Sequence, residues 1–60
     1  MYFIHVKTEN SKRYELLGSG GHLVNRYMFA IFFDSLELAK ERVAMLKEQN
    51  PTCDFKIIKK

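Results

Sequence analysis

The chain has little cysteine, proline and glycine and no tryptophan, and these shortages exclude several classes of protein. Its 60 residues include one cysteine, one proline and three glycines. A single cysteine cannot form an internal disulfide, which excludes the disulfide-rich scaffolds of small secreted proteins. No set of four cysteine, histidine or acidic residues has the spacing of a zinc site, so neither a metal nor a cofactor is predicted. The long apolar run of a membrane-spanning helix is also missing.

The composition that is present is that of a folded globular domain. Hydrophobic residues make up 47% of the chain and charged residues 28%, which argues against intrinsic disorder. We therefore predict a single domain over residues 1–60. A domain this short buries only about 60% of the surface of its unfolded chain, so its stability is expected to be marginal. Because neither a disulfide nor a metal is predicted, self-association is the remaining way to stabilise so short a domain.

The first residues, Met1 to Thr8, have neither a basic leader nor a small-residue cleavage site, so no signal peptide is predicted. A cysteine without a partner is stable as a thiol in a reducing compartment. Together these observations predict a cytoplasmic protein with no membrane anchor. The net charge of +3 is mild, and Lys56, Lys59 and Lys60 contribute much of it.

One helix is predicted over Ser35–Gln49. Asp34 is placed to cap its first turn, with Glu37 three residues later as in a capping box. Phe33 and Leu38 have the spacing of a hydrophobic staple, and an Asn-Pro pair ends the helix. Four apolar residues at intervals of three or four predict a buried stripe: Leu36, Ala39, Val43 and Leu46.

Four stretches alternate with the period of a β-strand. They are Tyr2–Lys7, Arg13–Leu17, Leu23–Phe33 and, after the helix, Cys53–Lys59. The first two are predicted to form a hairpin. The glycine-rich run Gly18–Gly21 resembles a phosphate-binding loop, but it leads into a strand and not a helix, so a flexible hairpin loop is predicted.

This order of elements predicts an α+β fold of the type βββαβ. Three strands form an antiparallel meander, one helix packs on one face, and a fourth strand follows at the C-terminus. A right-handed helical crossover from the third strand is expected to place the fourth strand parallel beside the first. The predicted spatial order of the strands is 4-1-2-3.

One helix covers one face of such a sheet and leaves the other open. The fuller apolar set is predicted to face the helix: Tyr2, Ile4, Val6, Tyr14, Leu16, Phe29, Ile31, Phe55 and Ile57. The open face then carries Phe3, Leu17, Met28, Phe32 and Ile58 among His5, Lys7, Glu15 and Lys56. Contiguous exposed apolar surface commonly marks an interaction site. Leu38 and Met45 on the flank of the helix form a second candidate surface.

Two functions are compatible with the open face. The first is a protein contact, with either a second copy of the chain or another protein, driven by burial of the apolar residues. The alternative is nucleic-acid binding, with Phe3 or Phe32 stacked on bases. The basic residues for that alternative are Lys7, Arg26, Lys56, Lys59 and Lys60. Ten basic against seven acidic residues is a weak electrostatic footprint, so we predict protein contact first.

No pattern of catalytic residues is present, and we predict that the protein is not an enzyme. His5 and His22 have no acid or ligand nearby in the sequence that would complete a catalytic or metal-binding set. His5 paired with Glu15 across the hairpin is the one arrangement that could transfer a proton. Cys53 is predicted to be a small buried hydrophobic residue, because no cation or helix N-terminus is placed to lower its pKa.

The second half of the chain resembles the small ββαβ and βββαβ proteins of bacteriophages and prophages. The residues that carry this resemblance are Phe33, Ser35, Glu37, Ala39, Leu46, Pro51 and Ile57. The resemblance implies a protein of the host-cell cytosol that acts by binding, for example as an accessory factor or an anti-defence inhibitor of a host protein. It transfers no functional residue to this chain.

Overall fold

The structure, a computed structural model, describes all 60 residues and contains five short strands and one α-helix. In chain order the elements are β1 (Tyr2–Lys7), β2 (Glu15–Leu17), β3 (Leu23–Val24), a 3-10 turn (Tyr27–Phe29), β4 (Phe32–Phe33), α1 (Leu36–Gln49) and β5 (Asp54–Lys59). The strands form one antiparallel sheet. The predicted α+β class is confirmed, although five strands are present where four were predicted. The helix is neither long nor apolar enough to cross a membrane.

β1 is the central strand, and both of its edges are paired. Along one edge β5 runs antiparallel over the full length of β1, from Tyr2 opposite Lys59 to Lys7 opposite Asp54. The other edge is shared, because β4 pairs with the first half of β1 and β2 with the second half. β3 extends the sheet beyond β2.

The predicted parallel pairing of the first and last strands is wrong, and the cause is an additional reversal of the chain. The stretch Leu23–Phe33, predicted as one strand, is two short strands separated by the 3-10 turn. β3 runs antiparallel to β2, whereas β4 runs in the same direction as β2 because both are antiparallel to β1. A helical crossover joins strands of the same direction. α1 therefore leads from β4 into a β5 that is antiparallel to β1.

Two features of the sequence account for the break in the third predicted strand. Asn25 and Arg26 interrupt the apolar run after β3, and asparagine favours turns. Every residue from Met28 to Phe33 is apolar, so the alternation that specifies a strand is weak there. The N–H of Ala30 donates to the carbonyl of Tyr27 at 3.1 Å, which closes the 3-10 turn.

Residues 18–30 form a segment that extends away from β1 between β2 and β4. An antiparallel bridge between Gly18 and Ala30 joins the two ends of this segment. Gly18 is required at the junction. Its N–H donates to the carbonyl of His22 at 2.7 Å, and a Cβ on Gly18 would lie 2.8 Å from the same oxygen. Within the predicted loop Gly21 has a φ of +85°, a conformation that glycine adopts without strain.

The core lies between the sheet and α1. Ile4, Val6 and Leu17 form its centre. The partly buried residues that pack against them are Leu23, Ile31, Phe33, Val43, Leu46, Cys53 and Phe55. The predicted position of Leu17 on the open face is wrong, because Leu16 and not Leu17 lies opposite His5. A shift of one residue in the register of β2 exchanges the faces of the two leucines.

α1 is capped by Ser35 and not by Asp34 as predicted. The Oγ of Ser35 accepts a hydrogen bond from the N–H of Leu38 at 3.2 Å. At the other end the backbone N–H and the side-chain amide of Asn50 both donate to the carbonyl of Leu46, at 2.8 and 3.2 Å. The predicted end of the helix is confirmed, and its start differs by one residue.

Candidate functional site

Alternate residues of β1 point away from α1 and form the floor of the open face of the sheet. Two rows of directly opposed residues cross this floor: Phe32, Phe3 and Ile58 in one row, and Leu16, His5 and Lys56 in the other. The first row is apolar. The second combines an apolar, a titratable and a basic side chain.

Tyr27, at the start of the 3-10 turn, covers part of this floor. Its ring meets the ring of Phe3 edge-on, with centroids 4.8 Å apart and planes at 85°. Phe3 is only 5% exposed, so its predicted availability on an open surface is wrong. The Oη of Tyr27 lies 3.4 Å from Nε2 of His5, the distance of a weak hydrogen bond.

Two lysines near the C-terminus lie against exposed aromatic rings. The Nζ of Lys56 is 4.4 Å from the centre of the Tyr14 ring, and the Nζ of Lys60 is 4.6 Å from the centre of the Tyr27 ring. Both are cation–π distances. The ring of His5 is 6.5 Å from that of Tyr14 and 6.4 Å from that of Tyr27. We call these five residues the His5 face.

A cleft of about 410 Å³ opens on the His5 face. Its lining residues are His5, Arg13, Tyr14, Glu15, Leu16, Asn25 and Tyr27. The volume lies in the range of sites that hold small organic molecules, about 300–1,000 Å³. Aromatic rings supply much of the wall, and Glu15 is the one acidic residue among the lining residues.

The basic residues at this region, Arg13, Lys56 and Lys60, outnumber its one acidic residue, Glu15, which favours a negatively charged ligand. Partial burial lowers the pKa of His5, and the positive charges of Lys56 and Lys60 lower it further. A lowered pKa favours the neutral imidazole, which has one ring nitrogen as a donor and the other as an acceptor. Residues 34–49 carry four acidic and three basic side chains, and the rest of the chain carries three acidic and seven basic ones. The net charge of +3 is thus −1 on the helical segment and +4 elsewhere.

A second surface lies around β4, whose outer edge pairs with no strand. Met28, Phe29 and Phe32 are 76%, 58% and 51% exposed. These three uncharged residues form what we call the β4 patch. Phe29 was predicted to face the helix, and this is wrong because Phe29 belongs to the 3-10 turn, where the alternation of a strand does not apply.

Apolar surface is also present on the helix side of β4. A groove of about 360 Å³ is lined there by Phe33, Leu38, Glu41, Arg42 and Met45. Leu38 and Met45 are exposed, as their prediction as a second surface requires. The Cζ of Arg42 lies 5.6 Å from the centre of the Phe33 ring. Since Phe32 and Phe33 are neighbours on one strand, their side chains leave opposite faces of it.

The predicted contact residues are not brought together in one surface. Four of the seven are exposed: Met28, Phe32, Leu38 and Met45. Ile58 is half-buried, and Phe3 and Leu17 are buried on opposite faces of the sheet. The exposed apolar surface predicted on the open face is therefore smaller than expected and lies near β4.

The basic residues of the alternative prediction are also divided. Lys56 and Lys60 belong to the His5 face. Lys59 lies opposite Tyr2, on the other side of the sheet, and Lys7 lies opposite Asp54. Arg26 immediately precedes the 3-10 turn and is exposed.

Tyr14 and Tyr27 were missed as site residues. Tyr14 was assigned to the covered face of the second strand, but β2 starts one residue later, at Glu15. Tyr27 was assigned to a long strand and lies instead in a turn that folds over β1. The sequence signals for this turn were the interruption at Asn25 and Arg26 and the loss of alternation from Met28 to Phe33.

No three histidine, cysteine or acidic side chains come together in a way that could hold a metal ion. Cys53 is a half-buried thiol that packs against the core. The chain was compared with models of protein families, with curated proteins and with solved structures, and none of the comparisons gave a match. The functional proposals therefore rest on the β4 patch and the His5 face.

Proposed function

We propose that the protein is a non-enzymatic binding protein that acts by protein contact through the β4 patch. The observation that supports this proposal is the exposure of Met28, Phe29 and Phe32, each more than half exposed beside an unpaired strand edge. Burial of a large apolar side chain contributes about 1.5–3 kcal/mol. The three residues lie within five positions of one another in the chain, and contiguous exposed apolar surface is typical of interaction sites.

A second copy of the chain is the partner that the β4 patch fits best. A net charge of +3 on each copy opposes association, but the three residues of the patch are uncharged, so burial of their side chains removes no charged group from water. Only six apolar residues are buried in the monomer. A dimer would add the apolar burial that so short a chain lacks.

A twofold axis at the β4 patch would place the same residues of both copies in contact. The free edges of the two β4 strands would then face each other, and antiparallel strands related by a twofold axis can exchange backbone hydrogen bonds. This arrangement would cover an edge that the monomer leaves unpaired.

The wider biological setting stays a prediction. The resemblance to small phage proteins implies a cytoplasmic accessory or inhibitory role towards a host protein. In such a role the groove lined by Leu38 and Met45 is a second surface available for contact, because it lies on the other face of β4 from Phe32.

The proposal is tested by the molar mass in solution, measured by light scattering after size exclusion across a dilution series. We expect a dimer that dissociates on dilution. The double substitution Met28→Ser and Phe29→Ser should give a monomer with an unchanged circular dichroism spectrum, because both side chains are exposed in the monomer.

Tyr14→Ser is the matched control, since it removes an exposed aromatic ring that lies outside the β4 patch. We expect this variant to keep the mass of the wild-type protein. A wild-type protein that is monomeric at every concentration would contradict the proposal. So would a double variant that dimerises as the wild-type protein does.

A further inference from the structure

The His5 face combines exposed aromatic rings with positive charge, and it is distinct from the β4 patch. Tyr14 and Tyr27 are both exposed and both line the cleft of about 410 Å³. A nucleobase of any sequence can stack on such a ring, because every base has a π face. The cleft therefore has the walls that a flat aromatic ligand requires.

Polar groups within the cleft can meet the edge of a base. The imidazole of His5 offers one donor and one acceptor when it is neutral, and the hydroxyl of Tyr27 offers both. Asn25 also lines the cleft, and a side-chain amide can both donate and accept hydrogen bonds. These groups have the hydrogen-bonding character of a base edge, whereas an aliphatic ligand would leave them unpaired.

Cations surround the same cleft. The ammonium groups of Lys56 and Lys60 lie over the two tyrosine rings, and Arg13 lines the cleft itself. A lysine side chain is flexible, so it can leave the ring for a phosphate and free the ring for a base. Glu15 is the one acidic residue that lines the cleft, so basic side chains outnumber acidic ones three to one.

The combination of aromatic rings and cations at the cleft distinguishes between classes of anionic ligand. An acidic peptide would pair with the cations and leave the rings unused. A duplex would present phosphates but keep its base faces stacked within the helix. We propose that the His5 face binds single-stranded nucleic acid, with one base in the cleft beside the two tyrosines and the flanking phosphates at the surrounding cations.

The first test is fluorescence anisotropy of a labelled oligouridylate of about twelve nucleotides, a length within the range of about 4–16 nucleotides that single-strand binding domains cover. We expect binding that weakens with salt. The slope of log affinity against log salt should be about −2, because about three phosphates are neutralised and each contributes about −0.7. No binding at low salt would overturn the proposal, and so would equal affinity for a duplex of the same length.

Variants of the His5 face separate stacking from charge. Tyr14→Leu keeps apolar bulk but removes the ring, and should weaken binding about tenfold. Lys56→Gln should weaken binding at low salt and reduce the steepness of the salt slope by about 0.7. The melting temperature of each variant shows that it is folded under the conditions of the assay.

Lys40→Gln is the matched control, because Lys40 is exposed on α1 and its loss changes the net charge equally. We expect it to leave the salt slope unchanged. If it weakens binding as much as Lys56→Gln, or if Tyr14→Leu binds as the wild-type protein does, attraction is by net charge alone and the proposal fails. Neither Met28 nor Phe29 lines the cleft, so this result is independent of the dimer test.

Discussion

Tyr27 lies edge-on against Phe3, with ring centroids 4.8 Å apart and planes at 85°. The pair joins the 3-10 turn to the central strand, although the two residues are far apart in the chain. The contact shields Phe3 from solvent. The alternation of side chains along β1 alone would predict an exposed Phe3 on the open face. The turn thereby replaces an open apolar sheet face with two smaller surfaces, the β4 patch and the His5 face.

Tyr27→Ala should lower the free energy of unfolding by about 1–2 kcal/mol, because it removes an aromatic pair and exposes Phe3. Tyr27→Phe keeps the ring and loses only the weak contact with His5, so its effect should be below about 0.5 kcal/mol. Urea unfolding followed by circular dichroism measures both values. Equal losses in the two variants would show that the hydroxyl, and not the ring pair, secures the turn.

Leu17→Ala should lower the free energy of unfolding by about 2–5 kcal/mol, the range for truncation of a buried leucine. Leu17 is 4% exposed in the core cluster. Leu38 is exposed, so Leu38→Ala is the matched control and should change stability by about 0.5 kcal/mol or less. Denaturant titrations of the two variants under the same conditions give both free energies. A small effect at Leu17 would contradict the register of β2.

Ser35→Ala should lower the free energy of unfolding by about 1 kcal/mol, because it removes the side-chain acceptor for the N–H of Leu38. Asp34→Ala is the comparison. It removes a negative charge near the start of α1 and should lower stability by only a few tenths of a kcal/mol. Thermal unfolding of both variants at low salt decides between the two caps. The reverse ranking would restore Asp34 as the capping residue.

Stability should fall as the pH is lowered below the ordinary pKa of histidine. Burial and the charges of Lys56 and Lys60 lower the pKa of His5 in the folded state. Between the folded and unfolded pKa values the unfolded chain therefore binds more protons, so stability rises with pH across this window. The other ionisable residues around His5 are Arg13, Tyr14, Glu15 and Tyr27.

The substitution His5→Gln should remove this part of the pH dependence, and its unfolding free energy should change less than that of the wild-type protein between about pH 7.5 and pH 5. An NMR titration of the His5 ring protons measures its pKa directly. A pKa at or above the ordinary value for histidine would contradict the described surroundings of the ring.

Part of the candidate site could be predicted and part could not. Met28 and Phe32 are exposed as expected, and so are Leu38 and Met45 on the helix flank. Tyr14 and Tyr27 were not expected at the site, because their roles depend on a turn that folds back over β1 and on lysines from the end of the chain. Alternation along one strand carries no information about such partners.

The amino-acid sequence by itself determined the α+β class and the end of α1 at Asn50, together with the extent of β1. These features depend on capping groups and periodicities that act over about four residues, so local patterns are sufficient to specify them. The tertiary structure alone decided the register of β2, the direction of β5 and the covering of Phe3 by Tyr27. Each of these depends on contacts between distant residues, and a shift of one residue in a strand exchanges its two faces.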